Sequence, residues 1–112
     1  MLNKGDSRAY RGTGYLAKYE VLSVKDGYTT VQITLKNTSK KTINPWAVGF
    51  DHEGEIQNVK YGRLFTENYS YVGYSLWNEK SVIRNSSTNG TVAPNECVSF
   101  TFTMTDEFGY NE

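Results

Sequence analysis

The chain has 112 residues, 38% hydrophobic and 21% charged, with twelve basic and twelve acidic side chains. That length suits one domain with one core, and zero net charge removes the electrostatic footprint of a nucleic-acid or anionic-membrane binder, so a neutral ligand fits better. Cys97 is the only cysteine, which excludes a disulfide framework and a Cys-rich metal site, and no apolar run nears the roughly 20 residues that cross a bilayer.

Residues 1–14 are Gly-rich, charged and aperiodic, and predict a flexible N-terminal segment or linker. They are too polar for the apolar stretch of a signal peptide, and the chain reads as a module cut from something larger. Structure is expected from residue 15 to residue 106, with 107–112 as a C-terminal tail. Lys18 to Val24 reads as a strand, and Asp26-Gly27 then marks a tight hairpin turn, because both positions tolerate positive φ. The next strand has the clearest pattern: Val31, Ile33 and Leu35 alternate with Thr30, Gln32, Thr34 and Lys36, so one face is buried and one is wet. After a polar turn, Trp46, Val48 and Phe50 repeat that period, with Pro45 at the strand entry where its missing N–H removes no ladder bond. Further strands are expected at about 56–66, 70–77 and 80–85, and a last one from Cys97 to Thr105 with Val98, Phe100, Phe102 and Met104 inward.

Seven or so short strands separated by Gly, Asn and Ser turns predict an all-β, antiparallel β-sandwich of jelly-roll or immunoglobulin-like type, with no helix beyond about two turns. The predicted core is Tyr19, Val21, Val31, Ile33, Leu35, Trp46, Val48, Phe50, Ile56, Ile83, Val98, Phe100, Phe102 and Met104. At about 1.5–3 kcal/mol each, these side chains suffice for folding without metal or disulfides. Cys97 itself reads as a small buried or strand-end residue.

A strand ending in Lys36-Asn37-Thr38-Ser39 is followed by Ile43-Asn44-Pro45-Trp46-Ala47-Val48-Gly49-Phe50 and Gly54-Glu55-Ile56-Gln57-Asn58-Val59. Then come Ile83-Arg84-Asn85, Asn89-Gly90-Thr91-Val92-Ala93-Pro94-Asn95-Glu96 and Val98-Ser99-Phe100-Thr101-Phe102. In order and spacing, from about Tyr19 to Thr105, this resembles a bacterial carbohydrate-binding module. It is most similar to the family 2, cellulose-binding type and to related modules of rumen and gut clostridial polysaccharidases. The resemblance implies a sandwich that binds plant cell-wall polysaccharide without acting on it, secreted or on the cell surface, tethered to a glycoside hydrolase or scaffold domain of a larger protein. It also implies that Trp46 packs in the core. Members that bind crystalline cellulose use a flat row of exposed Trp, whereas the corresponding positions here hold Lys25-Asp26, Lys60 and Thr88, with Tyr28 and Tyr61 next to two of them.

Sixteen residues are aromatic, nine of them Tyr, and a small sandwich cannot bury them all. An insertion between the strands near 60 and 83 holds the densest run, Tyr69-Ser70-Tyr71-Val72-Gly73-Tyr74-Ser75-Leu76-Trp77. Alternation puts Val72, Tyr74 and Leu76 on one face and Tyr69, Tyr71, Gly73, Ser75 and Trp77 on the other, an aromatic groove if the first set packs inward. The expected ligand set is therefore Trp77 as main stacking residue, Tyr71 and Tyr61 as secondary platforms, Tyr69 at the edge, and Gln57, Arg63, Asn68 and Asn78 for sugar hydroxyls. The alternative is that Tyr71 and Trp77 cover a second small core.

His52, the only histidine, lies among Asp51, Glu53 and Glu55 and reads as an ordinary charged turn rather than a calcium loop or acid–base pair. Asn-x-Ser/Thr sequons begin at Asn37, Asn68, Asn85 and Asn89, a pattern that Asn/Ser/Thr-rich β-domains produce readily. No nucleophile motif stands out, and the sequence predicts no enzyme, no cofactor and no metal. A monomer that binds polysaccharide, with no nucleic-acid or membrane partner, is the first reading; a sandwich for protein interaction, adhesion or scaffold spacing is the second.

Overall fold

The computed structural model describes residues 3–52, 54–65, 73–76 and 81–105. Among the described residues nine strands form two sheets: β1 (Ser7–Gly12), β2 (Tyr15–Lys25), β3 (Tyr28–Asn37), β4 (Ala47–Phe50), β5 (Ile56–Lys60), β6 (Gly62–Phe65), β7 (Tyr74–Ser75), β8 (Ser81–Asn85) and β9 (Cys97–Thr105). The five-stranded sheet runs β1-β2-β3-β9-β5 and the four-stranded sheet β6-β8-β4-β7. Every pairing within them is antiparallel except β4 with β7. The fold is an all-β sandwich, and no helix occurs among the described residues.

The β2–β3 hairpin follows from its turn chemistry. Asp26 and Gly27 both take positive φ, 54° and 81°, the backbone that matches the right-handed twist of the flanking strands. Beyond the turn, Val31, Ile33 and Leu35 oppose Phe102, Phe100 and Val98 of β9, so the alternation in the two strands falls in register on one face. A bulge between Val21 and Ser23 shifts β2 by one residue and leaves Leu22 exposed.

The core lies between the sheets. Trp46 stacks on Phe100 with centroids 5.4 Å apart, and Phe50 stacks on Phe102 at 4.9 Å. Twelve of the fourteen expected core residues are buried, while Ile56 and Val98 are half-buried at its margin. Tyr15, Ala17, Ile43, Leu76, Val82 and Val92 are buried as well.

Two departures from the sequence reading have physical causes. Residues 7–12 are not a frayed end: they form β1, which pairs with β2 in register from Ser7–Glu20 to Gly12–Tyr15. As an edge strand β1 stays exposed over nearly its whole length, so it carries no hydrophobic alternation, and its arginines suit an unprotected edge. The single strand expected at 56–66 is two strands in different sheets, divided at Tyr61. Of the strand expected at 70–77, residues 70–72 and 77 lie outside the described residues, and Tyr74–Ser75 form β7.

Candidate functional site

The joint between the sheets builds the candidate site. The register of β5 against β9 slips between Gln57 and Lys60, and two residues there take the left-handed backbone region, Asn58 at φ 51° and Tyr61 at φ 66°. Asparagine adopts this region readily, but for a bulky side chain such as tyrosine it is a strained choice of about 1–2 kcal/mol. Gly62 then passes so close to β8 that a Cβ there would lie 2.7 Å from Ile83 Cγ2. The turn at Tyr61 carries the chain from one sheet to the other, and the residue is 68% exposed, the most exposed of the large hydrophobic residues described.

A network of asparagines fixes this joint. Asn89 donates from Nδ2 to the Tyr61 carbonyl at 2.7 Å, and its Oδ1 accepts from the Ser86 N–H and hydroxyl at 2.8 and 2.9 Å. The carbonyl of Asn89 accepts the indole N–H of Trp46 at 2.8 Å. Asn85 accepts from the Trp46 N–H at 3.2 Å and donates to the Ser86 carbonyl at 2.8 Å. Arg63 donates from Nε to the Asn85 carbonyl at 3.1 Å. The 86–89 loop, Tyr61 and Arg63 thus form one rim, anchored on the buried Trp46. Asn85 and Asn89 stand out in the sequence only as sequons; their enrichment in turns is the signal of a structural role.

The expected ligand residues divide. Tyr61 and Arg63 share this rim. Gln57 does not: it opposes Thr103, between the inward Phe102 and Met104, so it lies on the outer face of the five-stranded sheet. Arg63 lies on the outer face of the other sheet, because the chain changes sheet at Tyr61. Trp77, Tyr71, Tyr69, Asn78 and Asn68 lie outside the described residues.

What is described of the insertion matches an inward Tyr74 and Leu76. Leu76 is fully buried, and Tyr74 meets Tyr15 edge-to-face at 4.9 Å. The Tyr15 hydroxyl donates to the Ser75 carbonyl, and Tyr10 of β1 stacks against Tyr15 at 6.2 Å. Tyr10, 39% exposed, extends this aromatic strip to the surface. Sequence reasoning missed it because residues 7–12 carry no period. Val82 is fully buried although it points away from the face that Ile83 gives to the core, and it stands apart from the core cluster. One part of the outer face of the four-stranded sheet is therefore covered.

His52 is held at both ring nitrogens. Nδ1 donates to the Gly54 carbonyl and Nε2 meets the Ser81 hydroxyl, each at 2.6 Å. A carbonyl only accepts, so Nδ1 carries the proton and the ring serves the turn. Among the described residues, no three His, Cys, Asp or Glu side chains gather as a metal site. Cys97 opens β9 and is exposed.

In comparisons with known proteins, no family model and no curated protein matches the chain.

Proposed function

We propose that this chain is a non-catalytic polysaccharide-binding module for plant cell-wall glycans of the β-glucan or hemicellulose class, which brings an attached enzyme or scaffold to its substrate outside the cell. The observation that carries this reading is Tyr61, an exposed ring on a backbone that is strained, pinned by Asn89 and braced on the core. Strain retained at a surface aromatic points to use of that ring. A tyrosine face suits the axial C–H groups of a β-linked sugar, and the Ser86, Thr88 and Arg63 side chains on the same rim offer polar partners for its hydroxyls. Trp77, Tyr71 and Tyr69 are proposed as further ligand residues, with Trp77 as the main stacking residue.

Affinity electrophoresis in gels containing soluble glucan, xyloglucan, xylan or mannan tests the reading. Retardation by at least one glycan is expected. It should weaken about tenfold, or about 1.4 kcal/mol, in Trp77→Ala, with the melting temperature nearly unchanged. No retardation by any glycan sinks the proposal. It would favour the second reading, a protein-interaction domain, for which the exposed edge of β1 is the supporting feature.

A further inference from the structure

Arg63 of β6 and Arg84 of β8 face each other in the sheet register, both exposed, on the outer face opposite the core-facing pair Leu64 and Ile83. Directly opposed residues in an antiparallel pair have Cβ atoms about 4.5–5.5 Å apart, and like charges so placed destabilise the sheet. Among the described residues nothing offsets the repulsion. Among the described residues neither guanidinium has a carboxylate partner, and the one bond made by either is from Arg63 Nε to the Asn85 carbonyl. Arg84's other neighbour in the row is Ala47, too short to cover a guanidinium. The chain as a whole is neutral, so this local pair of charges reflects placement and not composition. The pair borders Tyr61, since Arg63 follows it by two residues and shares its rim.

We propose that Arg63 and Arg84 form an anion-binding subsite for carboxylates, and that the polysaccharide bound at Tyr61 carries uronic-acid residues. This rests on the glycan-binding reading of Tyr61. A guanidinium presents parallel N–H donors that match the two oxygens of a carboxylate, and Arg63, fixed at Nε, keeps its terminal donors for that purpose. Two such groups give a ligand charge to neutralise and a direction to recognise, beside an aromatic face for the ring that bears it. A nucleic acid fits less well, because binding through phosphates draws on many more cations than two and the neutral chain supplies no wider basic field.

The test compares glucuronoxylan and polygalacturonate with the same polymers after chemical reduction of their carboxyl groups, titrated into the full chain at low salt. One acidic polymer should bind about tenfold more tightly than its reduced form, and the difference should shrink as salt is added. In Arg63→Gln/Arg84→Gln the acidic and reduced forms should bind alike, with the fold retained, because both side chains are exposed and the facing charges are relieved. Arg63→Lys should restore part of the preference, since it returns the charge without the fork. Equal binding of acidic and reduced forms by the wild-type chain overturns the subsite and leaves the glycan reading standing. Failure to bind either form or any other glycan overturns both. Preference for dextran sulfate over every uronate overturns the carboxylate assignment, and binding to single-stranded RNA but no glycan overturns the proposal outright.

Discussion

The side-chain amide of Asn89 donates to the carbonyl of Tyr61 at 2.7 Å, across 28 residues of sequence. The bond holds Tyr61 in a conformation that sequence neighbours alone would not maintain. Asn89→Ala should therefore lower stability by about 1–3 kcal/mol, since the Ser86 N–H loses its acceptor as well, and should weaken glycan binding. Asn89→Asp keeps the acceptor for Ser86 but sets an oxygen against the Tyr61 carbonyl. It should retain more of the loop's stability than Asn89→Ala while binding no better. Urea denaturation together with affinity electrophoresis separates the two effects; an Ala variant as stable and as retarded as wild type would show that the contact does not hold the ring.

At Tyr61 the ring and the backbone can be tested apart. Tyr61→Gly removes an exposed ring and relieves the left-handed strain, while adding unfolded-chain entropy of similar size. Its stability should stay within about 1 kcal/mol of wild type, and binding should fall. Tyr61→Val places a β-branched residue at positive φ and should be clearly less stable than the glycine variant. If the order in chemical denaturation is reversed, Tyr61 does not occupy this backbone region.

Trp46 contributes both bulk and a hydrogen bond. Trp46→Ala should cost about 3–5 kcal/mol and prevent folding in a domain of ordinary stability. Trp46→Phe keeps a ring against Phe100 but leaves the Asn89 carbonyl without its donor, for about 1–2 kcal/mol plus a small packing loss. Calorimetry should thus rank the variants wild type, Phe, Ala, and a fully stable Trp46→Ala would remove Trp46 from the core.

Asn37 is the buried polar residue among the described residues, and its amide is fully used. Nδ2 donates to the carbonyls of Lys41 and Val92 at 2.7 and 2.9 Å, and Oδ1 accepts from the Ser39 N–H and hydroxyl. Asn37→Ala should cost about 2–4 kcal/mol by leaving several of these groups unpaired. For the same reason the sequon at Asn37 should remain unmodified when the folded domain passes through a eukaryotic secretory pathway. Glycopeptide mass spectrometry decides this, and full occupancy at Asn37 would show that its side chain is not held as described.

Much of the sandwich is legible in the sequence because its central strands report two periods at once. Val31, Ile33 and Leu35 alternate and so do Phe100, Phe102 and Met104, and Asp26-Gly27 leaves one way to bring β2 onto β3. β1 is hidden because an edge strand with Arg8, Tyr10 and Arg11 buries too little on either side to leave a pattern. Between 56 and 66 apolar residues continue at plausible spacing, and nothing in them marks Tyr61 as the point where the chain changes sheet. A left-handed tyrosine is stabilised by tertiary contacts, chiefly those of Asn89, and local propensity argues against it. Val82 and Ile83 are both buried, so β8 also lacks the alternation that would place it. Tyr61 and Arg63 could be named as candidates from residue type. That Gln57 belongs to the opposite outer face follows from topology, which residue type does not encode.

The clamp on the joint grips position 61 by its carbonyl, a group that every amino acid shares. Replacing the side chain there leaves the clamp's own partners in place, provided the newcomer accepts positive φ. The scaffold therefore separates what presents a residue from which residue is presented, and position 61 is a socket. Glycine, asparagine and aspartate enter it at little conformational cost, and a histidine or tryptophan enters at about the strain tyrosine already bears. Diversifying this one position, with Arg63 and Arg84 varied alongside it, is a direct route to altered ligand preference on an unchanged sandwich.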